Sequence, residues 1–515
     1  MNFTAQRRPV ATALIGVLAT FGCTTKNYYE QTYVTADGDA GAHEPPPVDV
    51  DVDAGSTPTD PPAEPDAGPA PIPGAPVADV PGAELEVDVF GTVGNHYFFA
   101  VSEEELERMN QRYEGGGPIF FANPYGDIYA PGGVDSDPTF VDHLFVTTAG
   151  SDPRTADFGQ VEVKLIGEST GRPWTPESLP NFKIDSDEFQ EGLRIGGVKH
   201  FRLNNAVVGS IYREKLTLDL YAKLGYPAPR ATFGWVSNTV WGPDIAVPYV
   251  VVESYKPHFC KEREEELAGG CENMWELPGD FGYGAFTQPE ACQFTECENQ
   301  RVNELDELVM TTPHGDGYKA ALADFIDWDA FHRFQCLSWV LQTGDDALHN
   351  TNNLVLVERM DGKFQYLPYS VDISLGQDWY PEVPLPGGSS VASGCQSDVA
   401  CWADTIATCE QVIADFEAAD PVSMLDEIHE TLKTEGMLRD GDADRYRSLR
   451  THLKQHLKQL PIELEENREA PNGGNGYCEQ PMVDCGGWCA YPEECYVCDP
   501  APLPEPILEP APDPR

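Results

Sequence analysis

The sequence predicts an α+β body with mostly antiparallel strand pairing, and two kinds of segment carry that reading. Short alternating or β-branched apolar stretches recur through the middle of the chain, such as "QVEVKLIG" at 160–167 and "IAVPYVVVESY" at 245–255. Between them lie stretches with a helical period, of which Tyr212, Leu216, Leu220 and Leu224 are the clearest. No internal repeat organises these elements.

In chain order, "HYFFAVSEEELERMN" reads as a strand followed by a helix, with Ser102 as N-cap and Glu105 at capping-box spacing. "QVEVKLIG", "LPNFKIDSDEF" and "VKHFRLNN" read as strands. A helix follows in "SIYREKLTLDLYAKLGYPAPR", with Tyr212, Leu216, Leu220 and Leu224 on one face, and stops at Gly225 and Pro227. "ATFGWVSNTVW" and "IAVPYVVVESY" pair around a turn, and a loop with four cysteines covers 260–297. A helix is expected near 325–342, then strands "NNLVLVE" and "KFQYLPYSVDIS", then helices near 423–435 and 442–460. The last carries Tyr446, Leu449, Leu453, Leu457 and Leu460 on one stripe, a core-packing pattern. "RDGDADRYR" at 439–447 lacks the glycine and closing glutamate of a calcium loop and reads as the polar start of that helix.

The 515 residues carry a formal net charge of −52, which argues against nucleic acid or anionic membrane surfaces as direct partners. Arg7 and Arg8 precede an apolar run, Val10–Gly22, and then Cys23. That run is too short for a membrane span of about 20 apolar residues and reads as a signal peptide, residues 1–22. "ATFGC" resembles a bacterial lipobox, with Thr20 where Leu is usual, so Cys23 is the expected lipidation site. Residues 23–84 are rich in Pro, Asp, Ala and Gly and read as a disordered, lipid-anchored linker. Residues 85–465 form the expected folded body, and 466–515 a Cys-rich tail with a disordered end. Membrane contact is expected through the lipid alone, in the bacterial cell envelope outside the cytoplasm.

Fourteen cysteines in an exported chain are read as disulfides before metal ligands. Without Cys23 thirteen remain, and Cys336, within the apolar helical run "FHRFQCLSWVLQ", is the expected buried thiol left over. The Cys495–Cys498 spacing in the tail is read as part of a disulfide knot.

Hydrolase elbows, zinc helices and phosphate loops are absent from the sequence. The stretch that offers chemistry is "QTGDDALHNTNNLVLVERMDGKFQYLPYSVDISLG", from Gln342 to Gly376. Phosphoryl transfer needs a carboxylate to orient the attacking hydroxyl, and a carboxylate with an amide oxygen to hold Mg²⁺. Asp345 and Asn350 stand at the five-residue interval of the Asp and Asn in a kinase catalytic loop. A turn rich in side-chain hydrogen bonds gives the same pattern.

The chain also resembles the spore-coat protein H (CotH) kinase-like family through four ordered motifs. The family's "R-N-K-L…D-L…L-G…A-P-R" helix corresponds to "REKLTLDLYAKLGYPAPR", Arg213–Arg230; its Val-Glu strand to "YVVVES" with Glu253; its "D…HN/NN" segment to "DDALHNTNNLVLV"; its "P-W-D-x-D…G" segment to "PYSVDISLG". The resemblance implies an atypical, secretory-kinase-like protein kinase fold, with ATP and Mg or Mn as cofactors. It assigns the catalytic role to Asp345, with Asp346 as rival, and metal binding to Asn350 or Asn353 and to Asp372. Ser370 stands where the family carries its metal-binding Asp, and Tyr369 where it carries Trp. A hydroxyl is a poor substitute for a carboxylate at a hard cation. In a regular strand Asp372 would share a face with Ser370. Lys183, Arg213 and Lys215 are the residues expected to face the nucleotide phosphates, and Glu253 is expected in the same cofactor site. Two readings stay open: a kinase phosphorylating Ser/Thr of surface or envelope proteins, or a non-catalytic surface assembly or adhesion protein with a degenerate site.

The anchoring expectation is tested by Cys23→Ser, which should move the protein from membranes to the soluble fraction. Retention in membranes, or a wild-type mass without lipid, would show the lipobox reading to be wrong.

Overall fold

The computed structural model describes residues 74–468 except 83–84, 116–137, 167–172, 207–209, 278–279, 282–290, 350–352, 377–382, 384 and 386, together with 483–484 and 489–490. The expected signal, Cys23, most of the linker, Asn350, and Cys478, Cys485, Cys495 and Cys498 lie outside the described residues.

The first half of the body is a sheet. Its strands are β1 (Val80–Pro81), β2 (Asn95–Ala100), β3 (Phe140–Val141), β4 (His143–Thr147), β5 (Thr155–Asp157), β6 (Val161–Ile166), β7 (Asn181–Asp185), β8 (His200–Asn204), β9 (Ala231–Asn238) and β10 (Gly242–Glu253). They lie in the order β1-β5-β4-β2-β9-β10-β8-β7-β6-β3, with only β1–β5 and β2–β9 parallel. The helices α1 (Glu103–Gly115) and α2 (Arg213–Lys223) interrupt it. Val80 pairs with Ala156, so the sheet begins ahead of residue 85. No capping box opens α1 by reciprocal bonds: the Ser102 N–H donates to Asp142 at 2.6 Å, and Glu105 is taken by Arg108 and the Phe140 N–H.

The second half is mainly helical, around a small antiparallel sheet. It comprises α3 (Pro257–Lys261), β11 (Cys271–Leu277), α4 (Gln300–Thr311), α5 (Tyr318–Ala321), α6 (Trp328–Val340), β12 (Leu354–Arg359), β13 (Phe364–Leu367), α7 (Ser390–Ser397), α8 (Val399–Ala419), α9 (Pro421–Thr434) and α10 (Asp442–Asn467). The sheet order is β11-β12-β13. Beyond it, β14 (Val483–Asp484) and β15 (Cys489–Ala490) form a short antiparallel pair. β11, α4, α7 and α8 were not expected from the sequence.

Alternation along the strands divides the interior in two. Tyr97, Phe99, Phe182, Ile184, Phe201, Leu203, Tyr249 and Val251 face one core, with Trp174 and Met109. Val250, Val252 and Phe233, on the opposite face, join a larger core with α2 and the helices of the second half. Across β6–β8 this second face is polar instead, and the candidate site lies there.

Eight cysteines of the body form four disulfides: Cys260–Cys271, Cys292–Cys297, Cys336–Cys409 and Cys395–Cys401. The expectation of a thiol at Cys336 is therefore overturned. Cys336 of α6 faces Cys409 of α8, two helices packed so that His332, four residues earlier, meets Thr405, four residues earlier on α8. These bridges mark an oxidising compartment. No helix of the described residues is long and apolar enough to cross a membrane.

Cys336–Cys409 spans 73 residues and Cys292–Cys297 five. Loop-closure entropy assigns about 4 kcal/mol to the first and about 2 kcal/mol to the second. Paired Cys→Ala variants in denaturant titrations should rank in that order. Equal losses would show that chain entropy is not what the long bridge contributes.

Candidate functional site

Cross-strand register assembles the site. Lys164 of β6 lies opposite Lys183 of β7, and Lys183 opposite Arg202 of β8. Directly opposed residues point to one face, and like charges there are destabilising. Lys256, just after β10, feels the same field: burial first, then Lys183, lower its pKa to about 8. Arg202 is buried, its guanidinium lies 4.6 Å from the Tyr369 ring centre, and its Nε has no hydrogen-bond partner. The Tyr369 hydroxyl donates to Glu276 at 2.5 Å.

Lys164, at one end of this row, pairs with Glu162 at 2.8 Å, and carboxylates stand beside Arg202 at the other end. Glu214, in the first turn of α2, is 2 % exposed; its Oε1 accepts from Asn204 Nδ2 at 2.6 Å and its Oε2 has no partner. Burial and then the charge of Asp372 raise its pKa to about 7, against the pull of Arg202. Asp372 itself is raised to about 6, by burial and then by the charge of Asp345. Asp345, Asp372 and Glu214 thus form one electrostatic cluster, with Arg202 beside it.

The loop after α6 separates Asp345 from its rival. Asp346 is buried and accepts hydrogen bonds from Ser338, from Thr343 at 2.6 Å, and from the Leu348 and His349 N–H groups at 3.0 Å. Burial alone would raise its pKa, but the His349 charge and these bonds hold it below the usual carboxylate range. Asp346 thereby shapes the turn, while half-buried Asp345 lies against Asn353 and its charge is felt at Asp372. Asn353 donates its Nδ2 to the Asp345 carbonyl at 2.6 Å and to Oδ2 at 3.2 Å.

β13 ends at Leu367, so the strand expected through 374 is a loop from Pro368 onward. Ser370 has φ +54° and 371–372 turn, so the same-face argument does not hold. Asp372 reaches the cluster through this turn, with the Ser370 hydroxyl 3.4 Å away.

The other expected site residues divide. Lys183 lies in the basic row. Arg213 donates instead to the backbone carbonyls of Ser374, Leu375 at 2.7 Å and Gly376 at 3.3 Å, clamping the Asp372 loop to α2. Lys215 pairs along the helix with Asp219 at 2.5 Å. Glu253 is buried among Arg230 (2.9 Å), Arg263 (2.7 Å) and His258 (3.6 Å). Arg202, Lys164, Lys256, Glu276 and Glu214 were not anticipated. Register could not be read from sequence, but Glu214 was visible within the "REKL" motif, where the family carries Asn.

Burial would raise the Glu253 pKa, but His258, Arg263 and Arg230 outweigh it and bring it from 4.5 to about 2. A depressed carboxylate stabilises fully above its unfolded pKa and loses that contribution as pH falls through the folded value. Glu253→Gln should therefore destabilise by roughly 3 kcal/mol at pH 7, because the arginine charges lose their partner. The deficit should shrink between about pH 4.5 and pH 2. A deficit independent of pH across that range would contradict the assignment.

Residues 177–418 match the model of a family described as CotH kinase protein. No curated protein matches the chain. The matched span runs from just before β7 into α8 and contains Lys183, Arg202, Glu214, Asp345, Asn353 and Asp372. Over this span the chain is similar to the CotH kinase protein family, which bears out the resemblance read from the four motifs.

Proposed function

We propose that the protein is an exported, lipid-anchored kinase that transfers phosphate from ATP, with Mg or Mn, to Ser/Thr hydroxyls of surface or envelope proteins. The observation that carries this reading is Arg202, next to Lys183 in strand register, standing beside the carboxylates Glu214 and Asp372, with Arg202 Nε and Glu214 Oε2 both buried without partners. Opposed cations and neighbouring carboxylates are each destabilising when uncompensated. A polyphosphate relieves the first and a divalent cation the second. The residues therefore fit both groups.

Lys183 and Arg202 would bind phosphate oxygens, Arg202 kept in place by the Tyr369 ring. Asp372, Glu214 and the Asn353 amide oxygen would hold the cation, an all-oxygen set suited to Mg or Mn. When bound, the cation offsets phosphate charge. Asp345 accepts a hydrogen bond from the acceptor hydroxyl and orients it. Glu214 bears on the missing carboxylate at Ser370, because it offers a second acidic group beside Asp372. The fit to an exported protein rests on the lipobox-like Cys23 segment and the four disulfides of the body.

Ser370 also supports the second reading, a non-catalytic surface protein with a degenerate site. Transfer from γ-labelled ATP by the full chain, with Mg or Mn, decides between them. Asp345→Asn and Asp372→Asn should each lower transfer on the order of 100-fold or more, and Ser370→Asp should raise it. A wild type that neither binds nor transfers from ATP, but binds after Ser370→Asp, would move the function to assembly or adhesion.

A further inference from the structure

The family match ends at residue 418, before α9 and α10 begin. Helix α10 nevertheless reaches the candidate site. Leu449, Leu453 and Leu460 bury one stripe of it, which sets the adjacent His452 and His456 against the loops after α6 and β13. His452 Nε2–H donates to Gln342 Oε1 at 2.7 Å, three residues before Asp345. The same ring packs on Gly376, four residues after Asp372, where a Cβ would lie 2.2 Å from His452 Cε1. His456 Nε2–H donates to the Val340 carbonyl at 2.7 Å.

The two loops are joined where these histidines touch them. The Leu375 N–H donates to the Leu341 carbonyl at 2.8 Å, and Arg213 grips the carbonyls of residues 374–376. Gln342 (φ +51°) and Leu375 (φ +52°) both hold left-handed backbone, a conformation disfavoured for side chains of this kind and kept only where surroundings enforce it. His452 touches the first of these residues and the neighbour of the second.

We propose that His452 is a positioning residue, through which α10 holds the Asp345 and Asp372 loops in one register. Its effect on phosphate transfer rests on the function proposed above; its effect on the loops does not. The Gly376 position follows from the same contact, since any larger residue would displace the ring.

The test is hydrogen exchange by mass spectrometry on the full chain, comparing wild type with His452→Ala and Gln342→Ala. Both variants should speed exchange about tenfold or more in segments 341–349 and 371–376 together, while α8 stays protected. The double variant should add little to either single one, because both remove the same contact. His452→Gln, which restores a donor without the ring, should recover segment 341–349 more than 371–376. Gln342→Ala leaves α10 intact and so decides the matter if His452→Ala folds poorly. Acceleration in one loop alone, spread evenly over the body, or absent in Gln342→Ala would overturn the proposal. If the loops respond as expected but the chain never transfers phosphate, the coupling stands and the kinase reading fails.

Discussion

Arg202 and Glu214 are both buried, each with a polar atom that no hydrogen bond satisfies, and each sets the charge environment of the other. One belongs to the sheet and the other to the first turn of α2, so their proximity fixes how that helix sits on β8. An isolated buried charge is expensive, and removal of either partner leaves the other uncompensated. Asn204 and Tyr369 relieve only part of this. Arg213, adjacent to Glu214, extends the same constraint to the Asp372 loop through three backbone carbonyls. Sheet, helix and loop are therefore tied by one short segment, Arg213–Glu214, which joins a structural clamp to a member of the carboxylate cluster.

Parts of this arrangement were legible in the sequence. The helix carrying Arg213 announced itself through Tyr212, Leu216, Leu220 and Leu224, and its end through Gly225 and Pro227. Motif order points to Asp345 and Asp372. Their separation from Asp346 depends on Ser338, Thr343 and two backbone N–H groups, which only the folded turn supplies. The basic row was invisible, because Lys164, Lys183 and Arg202 are adjacent only through strand register. Lys215 and Glu253 look like ligands in a linear motif, yet Asp219 and the Arg230–Arg263 pair engage them. Cys336 reads as a thiol in the sequence because only the packing of α6 on α8 brings it to Cys409, 73 residues away.

The histidines of α10 extend the same logic. A stripe of leucines reads as core packing, and here it is. The residues beside the stripe are the ones that reach the site, and a helix outside the family-matched span thereby bears on residues inside it. The left-handed residues Gln342, Asn353, Ser370 and Leu375 all lie in the two loops so held or at their edges. Concentration of such backbone at one place accords with a site whose geometry is imposed by its surroundings.

The central claim is that the carboxylates around Asp372, together with Arg202 beside them and Lys183 next in register, form a joint site for a cation and a polyphosphate. Electron paramagnetic resonance titration of Mn²⁺ with the full chain, with and without ATP, tests it most directly. The account predicts that ATP tightens Mn²⁺ binding and Mn²⁺ tightens ATP binding by the same factor. It further predicts that Glu214→Gln and Asp372→Asn each remove most Mn²⁺ binding, while Lys183→Ala removes the ATP effect. Mn²⁺ binding that is absent with and without ATP, or indifferent to both carboxylate variants, would contradict it.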